Sequence, residues 1–209
     1  MRMPTIHLVR HGHVHNPDKV LYGRLPNFGL SETGQAMARA VAGYFVEQGT
    51  PVARVIASPL QRAQETAAPI AAAFGLPIDT DERLIEAQNV WEGAPLQTGF
   101  KDFVHPRNWW RLRNPWRPSW GEPYREQSER MWAAVRDAAA KTPQGDTVIV
   151  SHQLPIWVAR STFEGRSLLH DPRSRECGLG SVTSFEIGPD GEPTAVSYAT
   201  PAAGIEVPK

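Results

Sequence analysis

The octapeptide LVRHGHVH, residues Leu8 to His15, places an arginine, a histidine and a glycine side by side directly after an apolar run. That run, TIHLV, is rich in β-branched and aliphatic residues and predicts a buried strand. Neighbouring strand side chains point to opposite faces, so Arg10 and His11 can serve one ligand only if the chain turns. Gly12 accepts the backbone angles of a sharp turn. The segment therefore predicts a ligand site at the carboxyl end of a strand, where open α/β sheets bind ligands.

An arginine near the start of the second predicted helix is the next candidate. In SPLQRAQETA, Ser58 is predicted to cap the helix and Gln61 to complete a capping box. Arg62 then falls in the first turn, on the side predicted to face solvent. Because a helix N-terminus favours anions and disfavours cations, Arg62 is explained either by a bound anion or by a solvated pair with Glu65.

A histidine at the end of another apolar strand is the third candidate. His152 directly follows the run TVIVS. If the three strands are parallel neighbours, their carboxyl ends lie along one edge of the sheet, and that edge collects His11, Arg62 and His152. A lone histidine in such a place also suits a structural role, so the chemical interpretation depends on the three residues together.

The order of the surrounding elements indicates how these residues are held. Predicted strands alternate with amphipathic helices, which is typical of a mostly parallel sheet covered on both faces. The segments GSVTSFEI and TAVSYA, joined by GPDGEP, predict a terminal pair of strands. We therefore expect a three-layer α/β/α fold in a single domain over residues 1–209.

Taken in order, these motifs resemble the histidine phosphatase superfamily, which includes the cofactor-dependent phosphoglycerate mutases. VRHG is similar to the superfamily signature, SPLQRAQETA to its second motif and VIVSHQ to its third. GRLPNFGLSETG, residues 23–34, matches the usual loop into the first helix. The resemblance implies a phosphoglycerate mutase-like fold, an irregular or helical lid inserted at about 87–123, and phosphohistidine chemistry with no metal and no cofactor.

The resemblance also implies a role for each residue of the pocket. Arg10 and Arg62 would clamp a phosphoryl group, since guanidinium groups bind phosphate oxygens bidentately. His11 would be the nucleophile, and His152 would donate a hydrogen bond to the transferring group. Two adjacent guanidinium charges disfavour imidazolium, so we expect a lowered pKa for His11.

The leaving group needs a proton, which the superfamily takes from a carboxyl group. By resemblance the catalytic acid is Glu86 in ERLIEAQNVWEG, and burial near a dianion is expected to raise its pKa. The spacing to the following WEG is one residue shorter than usual and a customary glycine is missing, so Glu92 remains a competitor. By position in the matching first loop, Asn16 and Arg24 are predicted to bind substrate.

Other functions stay open at this point. The alternating His11, His13 and His15 are typical of some metal sites at strand ends and predict a metal-dependent hydrolase. NWWRLRNPWRPSW, residues 108–120, interleaves four tryptophans with three arginines, which predicts stacking on single-stranded nucleic acid. The resemblance instead assigns this stretch to the lid. A mutase-type isomerase is the third alternative, because it uses the same pocket as a phosphatase.

Bulk composition limits the partners. The 22 basic and 22 acidic residues balance, so no global field attracts the chain to nucleic acid or membranes. The single cysteine, Cys177, excludes an internal disulfide framework and suits a reducing cytoplasm. No apolar segment approaches the length of a membrane span. We expect a cytoplasmic enzyme that acts on a small phosphorylated substrate, with a homodimer left open.

Overall fold

The structure is a computed structural model that describes residues 3–95, 121–142, 144–168, 171 and 174–207. These ranges contain six strands: β1 (Thr5–Arg10), β2 (Val52–Ala57), β3 (Ile78–Thr80), β4 (Asp146–Ser151), β5 (Val182–Ile187) and β6 (Pro193–Ala199). They also contain four α-helices: α1 (Glu32–Glu47), α2 (Gln61–Phe74), α3 (Tyr124–Lys141) and α4 (Gln153–Phe163).

All six strands belong to one sheet, in the order β3-β2-β4-β1-β5-β6. The first four of these strands are parallel to one another. β5 pairs with β1 in the antiparallel sense, and β6 does the same with β5. The prediction of a mostly parallel sheet with a terminal strand pair is confirmed.

Each face of the sheet carries its own hydrophobic core. Alternate residues of β1 point to opposite faces: Ile6 and Leu8 pack with residues of α3 and α4, whereas Val9 packs with residues of α1 and α2. Covering both faces removes the strands from water, as a parallel sheet requires. The predicted three-layer α/β/α arrangement is therefore confirmed.

The register of the central strands brings the candidate residues to the same level along the sheet. Arg10 is paired with Ser151 across β1 and β4, and the hydrogen bonding continues beyond the strands. The amide of His11 donates to the carbonyl of Ser151 at 3.1 Å, and the amide of Ser58 donates to the carbonyl of Val150 at 2.9 Å. The residues that follow β1, β2 and β4 thus reach the same sheet edge.

Gly12 is required by close packing, and its φ is not in the left-handed region. A Cβ at Gly12 would lie 2.5 Å from the carbonyl oxygen of Gly34, and a Cβ at Gly34 would lie 2.0 Å from the carbonyl oxygen of His13. The expectation that Gly12 supplies unusual backbone angles is wrong. The turn after β1 instead lies directly against the first turn of α1, with no room for a side chain between the two backbones.

The start of α2 also differs from the prediction. Leu60 occupies the N-cap position and forms no side-chain capping bond, and Gln61 donates to the carboxylate of Glu65 at 2.7 Å. The predicted Ser58 cap and Gln61 capping box are wrong. The hydroxyl of Ser58 lies instead 2.8 Å from Nε2 of His152, because a buried imidazole also needs a hydrogen-bond partner.

Most of the predicted lid at about 87–123 lies outside the described residues, as does the whole tryptophan-rich stretch at 108–120. At the described edges of this interval, Asn89 and Gly121 form an antiparallel bridge. No helix within the described ranges is long and apolar enough to cross a membrane.

Candidate active site

His11 leaves the end of β1 with one ring nitrogen engaged and the other facing the pocket. Its Nδ1 lies 2.8 Å from the carbonyl oxygen of Gly12. A carbonyl can only accept, so Nδ1 carries the proton and Nε2 keeps its lone pair. Burial, then the charges of Arg62 and Arg10, hold the pKa of His11 well below its ordinary value. The imidazole is therefore neutral, with Nε2 available as a nucleophile.

His152 stands beside His11 at the end of β4. The centroids of the two rings are 5.2 Å apart, with an interplanar angle of 59°. Burial, followed by the nearby His11 and Arg62, lowers the pKa of His152 well below its ordinary value. Its Nδ1 is buried and has no hydrogen-bond partner among the described residues. The structure thus places two neutral imidazoles side by side.

Arg10 and Arg62 flank the two histidines. Arg10 donates from Nη1 to the carbonyl of Cys177 at 2.6 Å, and Arg62 donates from Nη2 to the carbonyl of Gly23 at 2.6 Å. Within the described ranges, Nε of each guanidinium is buried without a partner. Buried N–H groups in proteins are nearly always paired, so these two atoms are candidates to donate to a bound ligand.

Arg62 does not face solvent as predicted, since only 1% of it is exposed. Its guanidinium carbon lies 4.8 Å from the centre of the Tyr22 ring. The alternative pair with Glu65 does not form either, because Glu65 accepts from the amide of Leu30 and from Gln61. The geometry therefore excludes the solvated pair with Glu65, and anion binding by Arg62 stays a prediction.

Glu86 lies at the same pocket. Burial is the main cause that raises its pKa, opposed by a hydrogen bond from the amide of Ala87 and by the charges of Arg62 and Arg10. A carboxyl group with a raised pKa can retain a proton at pH values where an ordinary glutamate has lost it. Glu86 therefore has the properties that a general acid needs.

Donors from three different parts of the chain hold the backbone between Arg83 and Glu86. Arg24 donates from Nε to the carbonyl of Glu86 at 2.6 Å, Ser151 from its hydroxyl to that of Leu84 at 2.7 Å, and Arg130 to that of Arg83. The carboxylate of Glu122 accepts from both Arg24 and Arg130, at 2.6 to 3.1 Å. This network fixes the segment that carries Glu86.

Glu92, the competing acid, is also close to Arg62, but its carboxylate is used locally. Oε1 accepts from the amide of Asn89 at 3.3 Å, and the side chain packs so tightly on Gly23 that a Cβ there would lie 2.3 Å from Oε1. The geometry therefore favours Glu86, while the assignment of the acid remains a proposal.

The two predicted substrate-binding residues have protein partners. The amide group of Asn16 donates to the carbonyl of Val20 at 2.8 Å and accepts from its backbone N–H at 3.1 Å. The side chain of Asn16 thus stabilises the loop between Asn16 and Val20. The side chain of Arg24 donates to the backbone carbonyl of Glu86. Whether either residue also touches substrate stays a prediction.

The alternating histidines of the metal alternative do not form a ligand group. Nδ1 of His13 lies 2.7 Å from the hydroxyl of Ser31, the residue that caps α1, and His15 is exposed. In the part of the chain that the structure describes, no three His, Cys, Asp or Glu side chains lie close enough to hold a metal ion.

Three residues near the pocket escaped the sequence analysis. Tyr22 lies under Arg62, and its pKa, raised by burial, also responds to Arg10 and Glu86. Arg175 acts electrostatically on Glu86 and Arg10, and its carbonyl accepts from the amide of Cys177 at 2.9 Å. Ser58 contacts His152. Only Ser58 had a signal, its place at a strand end, and that position was interpreted as a helix cap.

The fold and the pocket together define a class of enzyme. The neutral imidazole of His11 lies near two guanidinium groups and a second imidazole, at the carboxyl edge of the parallel strands. Unpaired buried donors of this kind suit a tetrahedral oxyanion that the nucleophile can attack.

Comparison with known proteins agrees with this description. The sequence profile of the histidine phosphatase superfamily (branch 1) matches residues 6–200. The chain is 51% identical over 199 residues to the protein Rv0525 of Mycobacterium tuberculosis, covering 95% of this chain and 96% of the relative. It is 32% identical over 190 residues to a probable phosphoglycerate mutase, GpmB, of Yersinia enterocolitica, covering 86% and 85% of the two chains.

The solved structure of the mycobacterial glucosyl-3-phosphoglycerate phosphatase Rv2419c has the same fold. It matches with a TM-score of 0.73 and 25% identity, over 95% of this chain and 98% of that one. The chain belongs to the histidine phosphatase superfamily. It is an enzyme of the phosphatase type with a phosphoglycerate mutase-like fold.

Proposed function

We propose that this enzyme hydrolyses a small phosphorylated metabolite through a phosphohistidine formed on Nε2 of His11, without a metal ion. The observation that carries the proposal is the set of unpaired buried nitrogens, Arg10 Nε, Arg62 Nε and His152 Nδ1, around a neutral imidazole. These donors match the oxygens of a phosphoryl group, whose transition-state charge must be stabilised by fixed positive groups.

In the first step, the lone pair of Nε2 attacks phosphorus, and the bond between phosphorus and the ester oxygen breaks. The leaving oxygen takes the proton of the Glu86 carboxyl group. The low pKa of His11 keeps the nucleophile unprotonated, and the raised pKa of Glu86 keeps the acid protonated. The lowered pKa of His11 suits a nucleophile, and the raised pKa of Glu86 suits a general acid.

In the second step, the ionised Glu86 takes a proton from a water molecule, which attacks phosphorus as the N–P bond breaks. Inorganic phosphate leaves, and Glu86 ends the cycle protonated as it began. The network of Arg24, Glu122 and Arg130 supports both steps, because it holds the backbone of Glu86 in place.

Arg175 supports a substrate that carries a second acidic group. It brings a third guanidinium charge into the electrostatic range of Arg10 and Glu86, and its segment is fixed to the pocket because Cys177 accepts from Arg10. A carboxylate next to the phosphoester would be stabilised there. The phosphatase with the same fold is named for glucosyl-3-phosphoglycerate, so phosphoglycerate derivatives belong in the first substrate panel.

The stereochemical course at phosphorus tests the proposal. Transfer to His11 and then to water involves two in-line displacements. An aryl phosphorothioate made chiral at phosphorus with two oxygen isotopes, and hydrolysed in water that supplies the third, should therefore give inorganic thiophosphate with retained configuration. Protein quenched in alkali should carry a base-stable, acid-labile phosphoryl group in the wild type or in the slowly hydrolysing Glu86→Gln variant. Net inversion, or turnover with no such group in either protein, would overturn the proposal.

A phosphoglycerate mutase-type isomerase is the second candidate, favoured by the similarity to the probable phosphoglycerate mutase. A mutase must keep water away from the phosphohistidine while the substrate turns around, whereas a phosphatase admits water. Incubation with 3-phosphoglycerate separates the two functions. Release of inorganic phosphate faster than formation of 2-phosphoglycerate supports the phosphatase, and the reverse order supports the mutase.

A further inference from the structure

Ser58 and His152 form a buried pair at the ends of two neighbouring strands. The hydroxyl of Ser58 lies 2.8 Å from Nε2 of His152, and both residues are 0% exposed. The other ring nitrogen, Nδ1, is buried without a partner among the described residues, and the ring itself stands 5.2 Å from that of His11, the proposed nucleophile. Ser58 therefore contacts the atom of the ring that lies opposite the atom available to a ligand.

The number of available hydrogens shows whether the Ser58 hydroxyl or Nε2 of His152 is the donor in this contact. A serine hydroxyl has one hydrogen and two lone pairs. The amide of Leu60 already donates to the oxygen of Ser58, over a long 3.4 Å. Within the described ranges, the only acceptor for the hydroxyl hydrogen is Nε2 of His152. The arrangement that satisfies both groups has Ser58 donating to Nε2.

We propose that Ser58 is a positioning residue that holds neutral His152 in the tautomer with the proton on Nδ1, so that Nδ1–H donates to a phosphoryl oxygen. The tautomer follows from the protein alone, while its use in catalysis rests on the proposed function. A neutral imidazole has a single N–H, so the choice of nitrogen decides whether His152 attracts or repels the anion.

The opposite tautomer meets two difficulties. With the proton on Nε2, the imidazole would donate to Ser58 and leave the buried hydroxyl hydrogen without an acceptor in the described part of the chain. The bare lone pair of Nδ1 would then face the oxyanion that the pocket is built to hold. Since His152 has a lowered pKa, protonation of both nitrogens does not remove this conflict near neutral pH.

The direct test is the tautomer itself. Long-range proton–nitrogen correlation spectra of nitrogen-labelled wild-type enzyme distinguish the two neutral forms of each histidine, with assignment of His152 by comparison with His152→Gln. We expect His152 to have its proton on Nδ1 in the free enzyme and with inorganic phosphate bound. A signal for the form protonated on Nε2 overturns the proposal, whatever is found for phosphohistidine formation.

Variants connect the tautomer to catalysis. Ser58→Ala should shift His152 to a mixture of tautomers and lower kcat for an aryl phosphate by about tenfold or more, with a smaller change in KM. Ser58→Thr retains the hydroxyl and should recover both the signal and the rate. If Ser58→Ala keeps wild-type kcat and the wild-type tautomer, Ser58 does not position His152. If either variant fails to fold, the wild-type spectrum still shows which nitrogen of His152 carries the proton, and a proton on Nε2 overturns the proposal.

The chain offers a matched control. Ser184 on β5 lies 2.7 Å from Nδ1 of His7 on β1, a second serine–imidazole contact that is not part of the pocket. Ser184→Ala should change the spectrum of His7 and leave kcat unchanged. Equal loss of kcat in Ser184→Ala and Ser58→Ala would show a general effect on stability and would also overturn the proposal. If the wild-type enzyme shows the expected tautomer of His152 but forms no phosphohistidine, the proposed function is contradicted and the proposal about Ser58 is not.

Discussion

His11 and His152 each follow directly after a paired strand residue, Arg10 on β1 and Ser151 on β4, and their rings stand 5.2 Å apart. Parallel pairing at this register brings two imidazoles from distant parts of the chain to the same height. The backbone at this level is held across the sheet, because the amide of His11 donates to the carbonyl of Ser151 and the amide of Ser58 to that of Val150. The sheet therefore places the proposed nucleophile, His11, beside the proposed hydrogen-bond donor, His152.

Replacement of His11 tests the nucleophile. His11→Ala should abolish hydrolysis of an aryl phosphate and the base-stable phosphoprotein together, since both need Nε2. The measurements are steady-state release of the phenol and labelling of protein quenched in alkali. His15→Ala, at an exposed position in the same loop, is the control and should keep both. If His11→Ala is still labelled with a base-stable phosphoryl group, another residue is the nucleophile.

The two candidate acids can be separated by leaving group. Glu86→Gln should leave kcat/KM nearly unchanged for an aryl phosphate whose phenol is a good leaving group, because kcat/KM reports only the first chemical step; kcat falls, since the second step loses its base. For an alkyl phosphate, Glu86→Gln should lower kcat/KM by about a hundredfold or more. Glu92→Gln should slow both substrates alike, if at all. The measurement is kcat/KM across phosphomonoesters graded by the pKa of the leaving alcohol. If Glu92→Gln steepens that dependence instead, Glu92 is the acid.

The buried histidines make stability depend on pH. The folded pKa of His11 is well below its ordinary value of 6.5, so below about pH 6.5 the unfolded chain binds a proton that the folded chain does not. The free energy of unfolding therefore falls as the pH drops from this value towards the folded pKa. In His11→Asn the fall should be shallower by about 1.4 kcal/mol per pH unit.

Urea unfolding at about pH 7.5 and about pH 5.5 measures this difference. Comparison within each variant cancels any constant loss of stability caused by the substitution. His15→Asn, at the exposed position, should keep the wild-type difference between the two pH values. An unchanged pH dependence in His11→Asn would mean that the folded His11 binds its proton as readily as the unfolded one.

Arg24 tests whether the network behind the acid affects catalysis. Arg24→Lys retains the charge beside Glu122 but loses the planar group that reaches the carbonyl of Glu86. We expect kcat to fall by about tenfold, most strongly for poor leaving groups, as in Glu86→Gln. Arg125→Lys, in an exposed pair with Glu129, is the control. A rise in KM with constant kcat would instead support the predicted contact of Arg24 with substrate.

Chelation and vanadate test the metal-dependent alternative. Hydrolysis of an aryl phosphate should survive prolonged treatment with EDTA, since the proposed pocket stabilises the phosphoryl group with guanidinium and imidazole groups. Vanadate, which adopts the geometry of the transition state, should inhibit, and the inhibition should weaken strongly in Arg62→Lys. Loss of activity with EDTA, restored by a divalent cation, would support the metal-dependent hydrolase.

The amino-acid pattern was enough to predict the layers of the fold and the sheet edge at which the candidate residues lie. Apolar strands that alternate with amphipathic helices have few ways to bury their surfaces, so the three-layer arrangement followed from the pattern. Residues that follow parallel strands must share one sheet edge, which brought His11 and His152 into one prediction. Arg62 entered the same prediction because the helix that carries it follows the second strand, although its local helical pattern pointed to solvent.

Tertiary structure alone decided which partners the polar groups have. Ser58 has the sequence features of a helix cap, yet its hydroxyl contacts His152 from another strand. Gly12 is needed because the backbone of Gly34 lies against it, and Arg24 and Arg175 reach the pocket from separate loops. Local sequence encodes periodicity and capping preferences. Hydrogen-bond partners, burial and pKa shifts depend on which distant segments the packed chain brings within a few ångströms.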